Sequence, residues 1–313
     1  MLKTFINRIK YFGRFKHRAE KKLTDKQKKW LLNLKADGYT LIENFIDADE
    51  LEKLQTLYKR ELESNLNFET PCISQSNIDA TQHKHLIDNY FKYTNSELKK
   101  EGVTFDKSNC KSYEQVINTF KPSTLKTYIP NSISFFKLWL HPEILQVIEA
   151  YMGLRPQLVE AYLRRNFPAD YRVMNHYWHR DQNNKDYLLK VFIFLSDCEI
   201  EHGPHEYIAG SIEDIRLSGK TYYTDEEVDS LYPPGSKKRI QSVVKAGTII
   251  VEDTRGLHRA KIPEKEFRDL GYAIFIPTRI FHKYNPHFYN ISKDVFNTLD
   301  DTQKSYIPNE FVI

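Results

Sequence analysis

A chain of 313 residues, 40% hydrophobic and 28% charged, can bury one large core, and no apolar run nears the roughly 20 residues of a membrane span. Residues 1–22 hold eight Lys/Arg against one Glu, +7 of the formal +4, so the rest carries 4 − 7 = −3, which excludes a generally basic nucleic-acid surface. Three cysteines (Cys72, Cys110, Cys198), odd in number and without Cys-x-x-Cys spacing, argue against a disulfide framework or structural zinc and for a reducing, cytoplasmic setting.

In residues 1–22, Leu2, Phe5, Ile6, Ile9 and Phe12 recur at helical spacing among basic residues. This basic amphipathic segment suits peripheral contact with an anionic membrane, or a helix docked on the body, or a disordered arm. The remainder, 23–313, reads as a single domain. Thr24 and Gln27 form a capping box for a helix to about residue 36, stopped by Gly38. Residues 39–45 alternate as a strand, and Asp47 caps a helix to about 64. The polar, uneven stretch 64–132, with helical pieces over 83–100 and 113–120, reads as a variable lid over a binding site. A helix spans 141–152, with Pro142 in its first turn and Gly153 as its stop.

After Pro156 the texture changes to short runs rich in Val, Ile, Tyr and Phe: 158–164, 174–179, 187–195, 240–243, 248–251 and 270–277. That pattern predicts an all-β barrel or sandwich over 156–278. Residues 211–232 interrupt the series and are expected to cap one end. The aromatic segment 280–313 is expected to fold back over the barrel.

One constellation stands out. His179 and Asp181 are two apart at the end of an extended run, and i, i+2 side chains of a strand share a face. His258 offers a second imidazole. Two histidines and one carboxylate with open positions are the ligand set of non-haem Fe(II) oxygenases. Arg268, opening the run 270–277, could pair in bidentate fashion with a dicarboxylate. His176 is three before His179 and should face the opposite way. His202 and His205 flank the Gly203-Pro204 turn and read as structural or exposed. Arg180, Arg255 and Arg259 beside the motifs read as solvent-facing charges or as partners for an anionic group.

At these residues the chain resembles the phytanoyl-CoA dioxygenase family of Fe(II)/2-oxoglutarate oxygenases. Trp178-His179-Arg180-Asp181 is followed by an apolar strand over 189–197. Gly203-Pro204 and Gly210-Ser211 then resemble the family's Gly-Pro…Pro-Gly-Ser-His turn, with Ala209 for the usual Pro and Ile212 for the usual His. Gly247, Asp253, His258 and Arg268 complete the order. The resemblance implies a mostly β core with flanking helices: a double-stranded β-helix (jelly roll, cupin-like) carrying N-terminal helices and a helical insertion. It implies metal ligands His179, Asp181 and His258, and Arg268 on the far carboxylate of 2-oxoglutarate. The cofactors implied are Fe(II), 2-oxoglutarate as cosubstrate and O2. The reaction implied is hydroxylation of an unactivated C–H in a small organic or carrier-linked substrate.

Two departures matter. Ala260 stands where the family commonly places a hydroxyl residue near the cosubstrate carboxylate. Lys190 could compensate if it faces inward, and is a solvated charge if it does not. Asp181 favours hydroxylation over halogenation, and Ile274, six after Arg268, disfavours nucleic-acid repair. Two other readings stand: a non-catalytic metal-binding barrel serving as a scaffold, and a metal enzyme independent of 2-oxoglutarate.

Overall fold

The computed structural model describes residues 23–64, 66, 69–72, 110–172, 174–181, 187–220, 222–277 and 289–313. The readings of 1–22 and 83–100 lie outside the described residues. Helix α1 (Asp25–Asp37) starts at the expected capping box, with Thr24 and Gln27 bonding reciprocally, and ends at Gly38 with φ 77°. Strand β1 (Tyr39–Ile42) and helix α2 (Ala48–Lys59) follow. The chain then continues as a π-helical turn, Arg60–Ser64, rather than as a regular helix. Helix α3 (Tyr113–Phe120) falls where expected, and α5 (Pro142–Met152) is capped by His141 and stopped by Gly153. Between them lies α4 (Ile133–Trp139), capped by Ser132, which the sequence reading missed.

The strands form two sheets. Besides β1, these are β2 (Glu69–Cys72), β3 (Thr124–Thr127), β4 (Gln157–Asn166), β5 (Trp178–His179), β6 (Leu189–Phe194) and β7 (His205–Ile208). Then come β8 (Tyr222–Tyr223), β9 (Arg239–Gln241), β10 (Ile249–Asp253), β11 (His258–Ala260) and β12 (Arg268–Ile276). The larger sheet runs β1-β10-β6-β12-β4-β3-β2 and the smaller β8-β5-β11-β7-β9. The ladders are antiparallel. This arrangement meets the jelly-roll expectation. Of the expected lid over 64–132, residues 73–109 lie outside the described residues, and at its flanks β2 and β3 extend the edge of the larger sheet.

Side-chain alternation divides the larger sheet into two faces. Leu163, Val191, Ile193, Val251, Ala273 and Phe275 pack outward with Leu34, Trp139, Ile144 and Ile148 of the helices. Tyr162, Phe192, Phe194, Ile250, Leu270 and Tyr272 turn inward as a second cluster. Each fully buried side chain of this size contributes about 1.5–3 kcal/mol. The C-terminal segment folds back as expected: Leu158 donates to Tyr306 O, and Tyr289 Oη donates to Leu158 O at 2.9 Å. None of the described helices is long and apolar enough to cross a membrane.

Candidate metal centre

The run expected as a strand over 174–179 is a 3-10 turn (Met174–His176) followed by the two-residue β5. His179 on β5 pairs directly with His258 on β11, ring centroids 4.2 Å apart. Asp181 lies just past the strand, its N–H donating to Thr254 O at 3.1 Å. Each ring is locked from behind: His179 Nδ1 meets Tyr177 O at 2.8 Å, and His258 Nδ1 meets Gly256 O at 2.9 Å. That choice leaves both Nε2 atoms facing Asp181. His179 Nε2 is 3.8 Å and His258 Nε2 3.3 Å from its carboxylate oxygens, and one donor atom from each residue falls within 4.8 Å of the others.

Close packing on Tyr207 sets the loop before His258. The Tyr207 hydroxyl donates to Asp253 O at 3.0 Å. A Cβ at Gly256 would sit 1.9 Å from that hydroxyl oxygen, and one at Gly38 2.2 Å from it. Ser211 Oγ accepts from Leu257 N at 2.7 Å, so the Gly210-Ser211 turn braces the same loop.

The electrostatics favour the protonation states a metal needs. Burial holds His179 down to about 3, so the ring is neutral. Burial opposes the charge of Asp181, but Lys190, His258 and His179 outweigh it and keep the carboxylate ionised. Lys190 therefore faces inward, in ion-pair contact with Asp181. His258 Nε2 is buried without hydrogen-bond geometry to any partner. Two imidazoles with convergent Nε2 atoms and an ionised carboxylate fit a divalent first-row metal.

The three residues and Lys190 line a cavity of about 460 Å³ with Glu160, Tyr162, Arg164, His205, Tyr222 and Tyr272. Ala260 also lines it and brings no hydroxyl. Arg268 is inside the barrel at 1% exposure but behind the cavity lining, with Nη1 donating to His202 O at 3.3 Å and Nε unpartnered. Burial lowers its pKa to about 10, still cationic at neutrality.

Among the flanking residues, His176 keeps off the centre as expected, while the arginines depart from a solvent-facing reading. His205 is buried on β7, lines the cavity and bonds Glu252, whose carboxyl burial pushes up to about 8. His176, in the 3-10 turn, is buried and faces a second, open cavity of about 820 Å³. The three arginines do not point at solvent. Arg180 donates to Leu217 O, Arg255 O and Asp214 O; Arg255 pairs with Asp253; Arg259 pairs with Glu206 and Asp225. They fasten the loops around the centre.

The family model described as phytanoyl-CoA dioxygenase matches residues 34–262. A search of the curated proteins gives no significant match. Among solved structures, the epimerase SnoN, in complex with Fe3+, alpha ketoglutarate and nogalamycin RO, is similar at 15% identity and TM-score 0.51, over 80% of this chain and 83% of that one. EctD from S. alaskensis with bound Fe is similar at 16% identity and TM-score 0.50, over 85% and 83%. At such identities the likeness speaks for a shared fold.

Proposed function

Because the chain belongs to the phytanoyl-CoA dioxygenase family, we propose that it is an Fe(II)- and 2-oxoglutarate-dependent dioxygenase that hydroxylates an unactivated C–H of a small organic or carrier-linked substrate. The observation that carries this reading is the convergence of three donor atoms on one point, with His258 Nε2 buried and unbonded there. His179, Asp181 and His258 would hold the metal. Arg268, a buried cation, would receive the far carboxylate of the cosubstrate, and Lys190 would place positive charge beside the metal-proximal end.

With Fe(II) and 2-oxoglutarate bound, the centre supplies oxidative decarboxylation of the cosubstrate by O2 and transfer of one oxygen atom to a C–H. The chain's own part is positioning and exclusion of water. Tyr177 O and Gly256 O fix the imidazoles, Lys190 orients the Asp181 carboxylate, and the stacked Tyr162 and Tyr272 rings (centroids 4.6 Å) wall the cavity. The test is succinate release from 2-oxoglutarate by purified protein with Fe(II) and O2, followed by uptake of isotopically labelled O2 into candidate substrates. Protein that binds Fe(II) but neither binds nor consumes 2-oxoglutarate would defeat the reading.

A further inference from the structure

The inference rests on the oxygenase reading and extends it to a residue that no motif marks. Strand β4 turns Glu160, Tyr162 and Arg164 into the cavity. In the β4–β12 ladder Arg164 lies opposite Leu270, and Arg268 is two residues before Leu270 on the same strand. Side chains two apart share a face, so Arg268 is the diagonal neighbour of Arg164 inside the barrel. Diagonal pairs are about 7–8 Å apart at the backbone, within joint reach of two long side chains.

Both arginines lack the same thing. Arg164 Nε and Arg268 Nε are buried without a hydrogen-bond partner. Among the described residues no carboxylate stands in ion-pair range of either, and Arg164 is among the causes that lower Arg268, behind burial itself. Other arginines around the barrel have carboxylate partners. Arg165 has Asp269 and Glu63, Arg239 has Asp229, Arg255 has Asp253, and Arg259 has Glu206. Two neighbouring guanidiniums inside the barrel, left without a carboxylate, form a receptor for one. The Arg164 fork is also held in place, 5.8 Å over the Tyr272 ring.

We propose that Arg164 and Arg268 together receive one carboxylate, the distal carboxylate of the 2-oxo dicarboxylate cosubstrate. Arg164 is then a cosubstrate-binding residue.

The experiment is calorimetric binding of 2-oxoglutarate and of 2-oxopentanoate to Mn(II)-loaded protein. 2-Oxopentanoate has the same five-carbon chain with a methyl group in place of the distal carboxylate. Wild type should prefer 2-oxoglutarate strongly. Arg164→Gln should weaken 2-oxoglutarate by about tenfold to a hundredfold and leave 2-oxopentanoate nearly unchanged. Arg164→Lys, which keeps the charge and loses the fork, should fall between and guards against a folding defect, checked by melting without ligand. The double variant with Arg268→Gln should lose less than the sum of the two single losses. An unchanged preference for 2-oxoglutarate in Arg164→Gln, or equal weakening of both acids, overturns the inference while the oxygenase reading stands. Wild-type protein that takes up Mn(II) yet binds neither acid overturns both.

Discussion

The two sheets of the barrel are held by different means. The larger has strands of up to ten residues, long ladders and a helix-covered apolar face. The smaller has strands of two to four residues, and much of its order comes from charged side chains: Arg259 and Arg239 meet on buried Glu206, and both lie over the Trp178 ring. Both histidines of the candidate centre sit on the smaller sheet. Stability therefore resides mainly in one sheet and positioning in the other, and the two should separate under mutation.

The largest effect should come from the centre itself. Asp181→Ala is expected to abolish succinate formation and weaken metal uptake at least a hundredfold, with Fe(II) titration as the check. A retained fold by circular dichroism would place the loss in the centre. Trp139→Ala, behind the larger sheet, should cost about 3–5 kcal/mol in urea unfolding while metal affinity stays put. Glu206→Ala should cost about 3 kcal/mol, since Asp225 and Asp229 keep a hold on the freed arginines. Unlike Trp139→Ala, it should also loosen metal binding, because Glu206 faces Arg259 beside His258. Equal metal affinity in these two variants would erase the division between the sheets.

A smaller loss is expected from Gly256→Ala. Its new methyl would meet the Tyr207 hydroxyl, an overpacking cost of about 1–3 kcal/mol, and Tyr207→Phe should recover part of it. Smallest is a pH effect. Burial holds His176 down to about 3, against about 6.5 in the unfolded chain. The unfolded state thus binds the extra proton between these values. Stability from this ring is complete above about pH 6.5 and declines as pH falls toward 3, at up to about 1.4 kcal/mol per pH unit. Unfolding of His176→Gln across that window should show a slope lower by about one proton. An unaltered slope would mean that the ring is not held neutral in the fold.

The grouping of His179, Asp181 and His258 was legible because strand alternation marks the first two and motif order the third. It survived the fact that β5 is two residues long and Asp181 lies beyond it. The jelly roll was legible in its long strands. Strands β7, β8 and β11 were not, since two to four residues leave no period to count, and the run 205–208 is buried throughout. In sequence His205 therefore reads only as a structural or exposed neighbour of the Gly203-Pro204 turn. Sequence alone leaves Lys190 between two faces because its side depends on register with Glu252 and Ile274, far away in sequence. Sequence leaves Arg180, Arg255 and Arg259 between solvent and an anionic partner for a related reason: several of their partners, among them Glu206, Asp214 and Asp225, come from distant segments.

The sheet order also governs how the molecule comes into being. Tyr39 bonds Ser242 across 203 positions, and Arg165 bonds Asp269 across 104, so few of the barrel's contacts reward an early local collapse. Such topologies fold in milliseconds to seconds rather than microseconds. His179 and His258 meet only when β5 and β11 have paired, so an ion has no formed nest to grip in the nascent chain. Its influence falls on the finished molecule, where it slows escape from the native state rather than speeding arrival.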